Sequence, residues 1–131
     1  MIGIDTNILV RFFAQDDRLQ SAKAEELVGS LSAENPGWVG VATILELVWV
    51  LGSKNRFDQN TIAKTIDQLL SREEIVIEQA EVIRSALRLF RKGKADFANC
   101  LIFSGASAAG CEKTFTFDRK AARDTGMELV G

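Results

Sequence analysis

Acidic side chains stand where this sequence changes from one structural pattern to the next. Asp5 directly follows the apolar run MIGI, and Asp118 follows KTFTF in the same way. Asp96 precedes another apolar stretch, with Asn99 three residues later, and Glu46 is the only charge in the segment ATILELVWVLG. Carboxylate and amide oxygens are the ligands that Mg²⁺ and Mn²⁺ prefer. The pattern therefore indicates a site for a divalent cation.

Each of these acids also has an ordinary structural explanation. Asp5 and Asp96 are well placed to cap helices, and Thr43 with Glu46 matches the capping box. An unpaired carboxylate in a buried helix is costly, however, and clustered acids raise one another's pKa values. A divalent cation would remove both conflicts. Capping and cation binding can coexist, so the sequence leaves both open.

Histidine is absent from all 131 residues. Its absence excludes histidine general bases, His-ligated zinc and Ser-His-Asp hydrolysis. Any catalysis must therefore rest on carboxylates, amides, hydroxyls, lysine or a metal ion. The net charge of -2 argues against a domain that binds nucleic acid through its overall charge.

Strand-like and helix-like patterns alternate along the chain. Strands are predicted at MIGI, WVGV, EIVIE, KTFTF and MELV, with amphipathic or apolar helices between them. This order predicts an α/β fold, a three-layer α/β/α domain around a mostly parallel central sheet, and one domain over residues 1–131. Ligands bind beyond the carboxyl ends of such strands, so Asp5 and Asp118 are expected to meet at one edge. The helix ATILELVWVLG, apolar nearly all round, is expected to be buried.

The apolar segments are too short to cross a bilayer, which needs about 20 residues, and no basic region precedes the first one. We expect no membrane segment and a cytoplasmic location. The only cysteines, Cys100 and Cys111, agree with a reducing compartment, and the simplest interpretation makes both core residues.

Four segments together carry a family resemblance: IDTNILVR, ATILELVWVL, ADFANCLI and TFDRKAA, in this order. With them the sequence resembles the PIN-domain nucleases, and within that family the VapC-type toxins of bacterial toxin–antitoxin pairs. The resemblance spans essentially the whole chain. It implies a PIN-like fold and a metal-dependent ribonuclease that uses Mg²⁺ or Mn²⁺. It also implies three partners: a cognate antitoxin, an RNA substrate with tRNA among the candidates, and a second copy in a homodimer.

The resemblance also implies the site residues. Catalytic roles fall to Asp5, Glu46, Asp96 and Asp118, and metal ligation to Asp5, Asp96, Asn99 and Asp118. The match departs from the family at Asn99, the position at which family members more regularly have an acidic residue. Asp96, one helical turn earlier, is an additional acid. Asn99 is natural with Asp96 taking over, or marks a weakened or silent member, or is an engineered change. A catalytically silent PIN-like binding module therefore stays open as the alternative function.

Residues that border the acids are candidate contacts for them or for substrate phosphates. Asn7, Thr116 and Arg119 belong to this group, although capping and strand packing explain Asn7 and Thr116 equally well. The remaining basic candidates are Arg11, Arg88, Arg91, Lys92, Lys94, Lys120 and Arg123. For the stretch 88–94, cations that complement a helix dipole are an equal explanation. Four aromatic residues offer an apolar interface, with core packing as the default: Phe12, Phe13, Trp38 and Trp49.

Overall fold

A computed structural model describes all 131 residues as five short strands alternating with seven helices. The strands are β1 Ile2–Gly3, β2 Gly37–Val39, β3 Ile75–Ile77, β4 Phe115–Thr116 and β5 Glu128–Leu129. The helices are α1 Thr6–Ala14, α2 Arg18–Gly29, α3 Val41–Ser53, α4 Gln59–Leu70, α5 Ala80–Lys92, α6 Phe97–Ala108 and α7 Arg119–Asp124. Every strand pairing is parallel, within a sheet of order β1-β2-β3 and a second sheet of β4 and β5. The predicted fold class, α/β with a parallel sheet, is confirmed.

The chain divides into two compact units, Met1–Ala80 and Glu81–Gly131. The expectation of one domain over residues 1–131 stays a prediction.

In the first unit, α1 leaves β1 and α3 leaves the neighbouring strand β2. The amide of Ile4 donates to the carbonyl of Trp38 at 2.9 Å, which aligns the ends of the two strands. Parallel neighbours end at the same edge of a sheet, so both helices begin there. The helix α1 packs against α2 and α3, and α3 also packs against α4. The apolar side chains between them are fully buried, including Leu9, Ile44 and Leu51.

In the second unit, α5 buries one apolar face and α7 packs against both β4 and β5. The buried face of α5 carries Ile83, Ala86, Leu87 and Phe90. The ring of Phe90 meets the ring of Phe97, at the start of α6, edge to face with centroids 5.6 Å apart. This aromatic contact fixes the start of α6 and therefore the position of Asp96, which precedes it.

Three expectations about burial are wrong. The helix α3 buries only one face, so Leu45 and Glu46 are exposed and Trp49 is 63% exposed. Trp38, expected in the core, is 37% exposed, and Cys111 is exposed while Cys100 is buried. The helix packs chiefly against α1 and α4, and its buried residues are Ile44, Leu47, Val48 and Leu51. No helix combines the length and the apolar character that crossing a membrane requires.

Candidate active site

Three of the four predicted catalytic acids cap helices. The backbone amide of Thr6 donates to Asp5 Oδ1 at 2.7 Å, and that of Asn99 donates to Asp96 Oδ1 at 2.8 Å. Asp118 Oδ1 accepts two such bonds, from the amides of Lys120 at 2.9 Å and Ala121 at 3.1 Å. The capping explanation is therefore correct for Asp5 and Asp96, and Asp118 caps α7 as well. In all three carboxylates the cap uses Oδ1 alone, and all three residues are exposed. Capping thus orients each carboxylate and leaves Oδ2 to bind something else.

Glu46 departs from the sequence expectation. The N-cap of α3 is Gly40 rather than Thr43, and no side chain of α3 caps it, so the predicted capping box is wrong. The helix begins at Val41, and the amide of Val41 donates at 2.9 Å to Glu78, which follows β3. Relieved of a capping role, the Glu46 carboxylate accepts a 2.5 Å hydrogen bond at Oε1 from the hydroxyl of Thr6.

Thr6 links the two acids of the first unit. Its backbone amide donates to Asp5 and its hydroxyl to Glu46, while the residue itself is only 6% exposed. Sequence reasoning did not assign Thr6 a role. The available signal was its place next to Asp5, but nothing in the sequence pairs position 6 with position 46.

Both acids face an open cavity of about 460 Å³ between α1 and α3. Its lining residues are Asp5, Thr6, Asn7, Val10, Arg11, Glu46, Val50 and Lys54. Asn7 lies on the wall of this cavity, and its predicted role as a contact for the acids or for phosphates stays a prediction. Lys54 was not expected there; it directly follows the last residue of α3, about 12 Å along the helix axis from Glu46.

The two cations of this cavity differ in their surroundings. Arg11 is held by two acceptors: its Nη1 lies 3.1 Å from Asp16 Oδ1 and its Nε donates to Gln20 at 2.6 Å. Asp16 also accepts a 2.9 Å bond from the Asn55 amide, and this bond, with a smaller effect of Arg11, lowers the pKa of Asp16. Lys54 forms no ion pair and is exposed. The cavity therefore combines carboxylates suited to a cation with an unpaired ammonium suited to an anion.

In the second unit, the predicted neighbours of Asp118 lie beside it. The hydroxyl oxygen of Thr116 accepts a 3.0 Å bond from the Asp118 amide, which shapes the turn between β4 and α7. Arg119 is exposed at the first position of α7. Arg123 is instead paired with Asp124 at 2.9 Å, which raises its pKa. Among the basic candidates on α7, Arg119 is therefore better placed than Arg123 to meet a phosphate.

The predicted metal ligands divide between the two units. Asp5 lies in the first unit with Glu46, while Asp96, Asn99 and Asp118 lie in the second. Neither unit by itself gathers three acidic, cysteine or histidine side chains close enough to hold a metal ion. The donors are carboxylate and amide oxygens, a set that fits Mg²⁺ or Mn²⁺ rather than a softer metal. The meeting of Asp5 with Asp118 stays a prediction.

In this α/β protein, parallel strands are followed by acidic residues that cap the next helix. Comparison with known families shows to which class of α/β proteins it belongs. Residues 2–125 match the PIN domain, so the chain belongs to the PIN-domain family. The resemblance seen in the sequence is thereby confirmed.

Individual relatives carry the VapC name. The chain is 24% identical over 119 residues to a VapC ribonuclease of Aquifex aeolicus, covering 89% of this chain and 87% of that one. Among solved structures, it is similar to Mycobacterium tuberculosis VapC20, a toxin that cleaves the sarcin-ricin loop, with a TM-score of 0.48 and 16% identity over 94% of each chain.

Proposed function

We propose that this protein is a VapC-type endoribonuclease, the toxin of a toxin–antitoxin pair, which hydrolyses RNA phosphodiesters at a carboxylate site with Mg²⁺ or Mn²⁺. Membership of the PIN-domain family and similarity to a VapC ribonuclease support the proposal. The observation that carries it is the pairing of Asp5 and Glu46 through Thr6 on the wall of one cavity. Two exposed carboxylates held by one buried residue are oriented for a ligand, because packing alone does not require their approach.

The proposed catalytic residues are Asp5, Glu46, Asp96 and Asp118, and the proposed metal ligands are Asp5, Asp96, Asn99 and Asp118. A bound divalent ion would supply a more acidic water and offset charge at the scissile phosphate. The amide oxygen of Asn99 can ligate such an ion, but it brings no negative charge. We therefore expect weaker metal binding than a carboxylate at position 99 would give.

The chain's own groups account for orientation and charge around that chemistry. The Thr6 hydroxyl holds Oε1 of Glu46, which leaves Oε2 to accept a proton from the attacking water. Lys54 and the held guanidinium of Arg11 offer positive charge to a phosphate in the same cavity, and the Asn7 amide can donate to a phosphate oxygen. No step needs histidine, in agreement with its absence.

The test compares RNA cleavage in Mn²⁺ by the wild type, Asn99→Asp and Asp5→Asn. We expect the wild type to cut, Asn99→Asp to cut with roughly tenfold tighter Mn²⁺ dependence, equal to about 1.4 kcal/mol, and Asp5→Asn to be inactive. Cleavage that survives EDTA would reject the metal requirement. Cleavage by Asn99→Asp alone would identify this chain as the silent member of its family.

The proposed partners are an antitoxin that covers the acids and a second copy of the chain, with a cytoplasmic location. Exposed apolar side chains give such partners surface to bury, among them Trp49 and Phe117, which is 83% exposed. Light scattering across a concentration series checks the dimer. A monomer mass at every concentration would remove the homodimer from the proposal.

A further inference from the structure

A second cavity, of about 480 Å³, lies between α5 and α6 within the second unit. Its lining residues are Ser85, Arg88, Leu89, Lys92, Phe103, Ser104, Ser107 and Ala108. We call it the α5–α6 groove. It contains two cations, three hydroxyls and an aromatic ring, but no acid. Its volume falls in the range of ligand-binding pockets, roughly 300–1,000 Å³.

The positive charge of the groove is not neutralised within the chain. Arg88 and Lys92 lie one helical turn apart on α5, both are exposed, and neither forms an ion pair. The one side-chain bond of Arg88 runs from Nη2 to the hydroxyl of Ser85 at 3.1 Å. This bond orients the guanidinium along the groove and leaves its charge available to an anion.

Ser104 provides the second, independent observation. It is 7% exposed, lines the groove, and makes no hydrogen bond within the chain. Its hydroxyl is not fully enclosed, because the one buried side-chain polar atom of the chain without a partner is Asn55 Oδ1. The Ser104 hydroxyl therefore reaches the groove, where it can donate to a bound acceptor. Ser107, one turn further on α6, offers a second hydroxyl at the exposed rim.

Phe103 is seated at one wall of the groove. A Cβ at Gly126 would lie 2.4 Å from the ring, so the close fit of the ring depends on a glycine at that position. The ring is therefore fixed against the backbone while the residue remains half-buried and lines the groove. A fixed, partly accessible aromatic ring beside cations is a suitable platform for stacking a nucleobase.

We propose that the α5–α6 groove binds single-stranded RNA, with a phosphodiester between Arg88, Lys92 and the Ser104 hydroxyl and the adjoining base on Phe103. The RNA bound there would be the substrate of the proposed nuclease, so this inference rests on the proposed function. Phosphodiester oxygens match every polar group in the groove, because Arg and Lys supply charge and serine hydroxyls donate hydrogen bonds. This groove differs from the cavity that contains Asp5 because its lining has no acidic residue.

The experiment measures binding apart from cleavage. Fluorescence anisotropy of a labelled oligoadenylate of about 12 nucleotides is followed in EDTA at several salt concentrations, a length within the site sizes of single-strand binders. The double variant Arg88→Gln/Lys92→Gln should bind at least tenfold more weakly, and its slope of log K against log salt should fall by about 0.7, because one phosphate contact is lost. Ser104→Ala should bind about fivefold more weakly, because a charge-assisted hydrogen bond is lost.

The matched control is Arg84→Gln/Lys64→Gln, which removes the same charge from residues outside the groove. It should retain wild-type affinity, and thermal unfolding of every variant checks folding. If the wild type and Arg88→Gln/Lys92→Gln bind RNA with equal affinity and equal salt dependence, the proposal that the groove binds RNA is overturned. Cleavage in Mn²⁺, assayed in the same preparations, keeps the two proposals apart. If the wild type cuts RNA and the groove variant binds RNA normally, only the groove proposal is rejected. If RNA binds through the groove but is never cut, only the nuclease proposal is rejected.

Discussion

The hydroxyl of Thr6 donates a 2.5 Å hydrogen bond to Oε1 of Glu46, forty positions later in the chain. Thr6 opens α1 and Glu46 lies in the second turn of α3, two helices that start from neighbouring parallel strands. The bond therefore follows from the strand order rather than from any local motif. It gives an exposed carboxylate a fixed orientation beside Asp5.

Substitutions at Thr6 should distinguish the contribution of its hydroxyl group from that of its side-chain volume. Thr6→Val keeps the volume and loses the donor, so Glu46 becomes free to rotate and RNA cleavage should fall roughly tenfold, about 1.4 kcal/mol. Thr6→Ser keeps the donor and should retain most activity. The kcat/KM for RNA measures the effect, with thermal unfolding as the folding control. Equal losses in both variants would show that the methyl group matters and the bond does not.

Substitutions at Asp5 should separate capping from chemistry. Asparagine caps as well as aspartate, so Asp5→Asn should change the free energy of unfolding by less than about 0.5 kcal/mol, while Asp5→Ala should cost about 1 kcal/mol. Both should abolish cleavage. Urea unfolding and RNA cleavage of the same samples check the two effects. If Asp5→Asn still cleaves, capping is the whole role of this residue.

Asn55 should control the titration of Asp16. In the wild type, the Asn55 bond and then Arg11 hold the Asp16 pKa below its usual 3.8, and Asn55→Ala should bring it back toward that value. A depressed carboxyl pKa stabilises the fold above the unfolded pKa, and this contribution is lost as pH falls through the folded pKa. The stability difference between wild type and variant should therefore be largest above about pH 5 and shrink in acid. NMR titration of Asp16 gives the pKa directly, and an unchanged value would contradict the assigned cause.

The two cysteines should react differently. Burial, with a smaller effect of Asp96, raises the pKa of the Cys100 thiol to about 11, whereas Cys111 is exposed. Thiolate is the reactive form, so a thiol reagent at about pH 8 should modify one site in the folded chain and two after unfolding. Cys111→Ser should abolish labelling of the folded protein. Modification of Cys100 in the folded chain at a similar rate would mean that α6 opens readily.

Local order was predictable because it depends on neighbours in the chain. Apolar patterns predicted the five strands and the presence of helices between them, and residue type alone marked Asp5 and Asp96 as helix caps. Capping joins a side chain to amides within three residues, so a single sequence contains what is needed to predict it. The family resemblance likewise follows from short motifs in order, and it is confirmed by the match to the PIN domain.

What the tertiary structure alone decided is which distant groups share a surface. The capping box at Glu46 was a sound local hypothesis, but α3 begins earlier and Glu46 bonds Thr6 instead. Likewise, Ser104 was simply one residue of an apolar helix until α6 brought its hydroxyl to the wall of the groove shared with Arg88. Such pairings depend on strand order and helix packing, in which contacts form between residues tens of positions apart. Hydrophobic patterning determines that a face is buried, whereas its partner is chosen only when the whole core assembles.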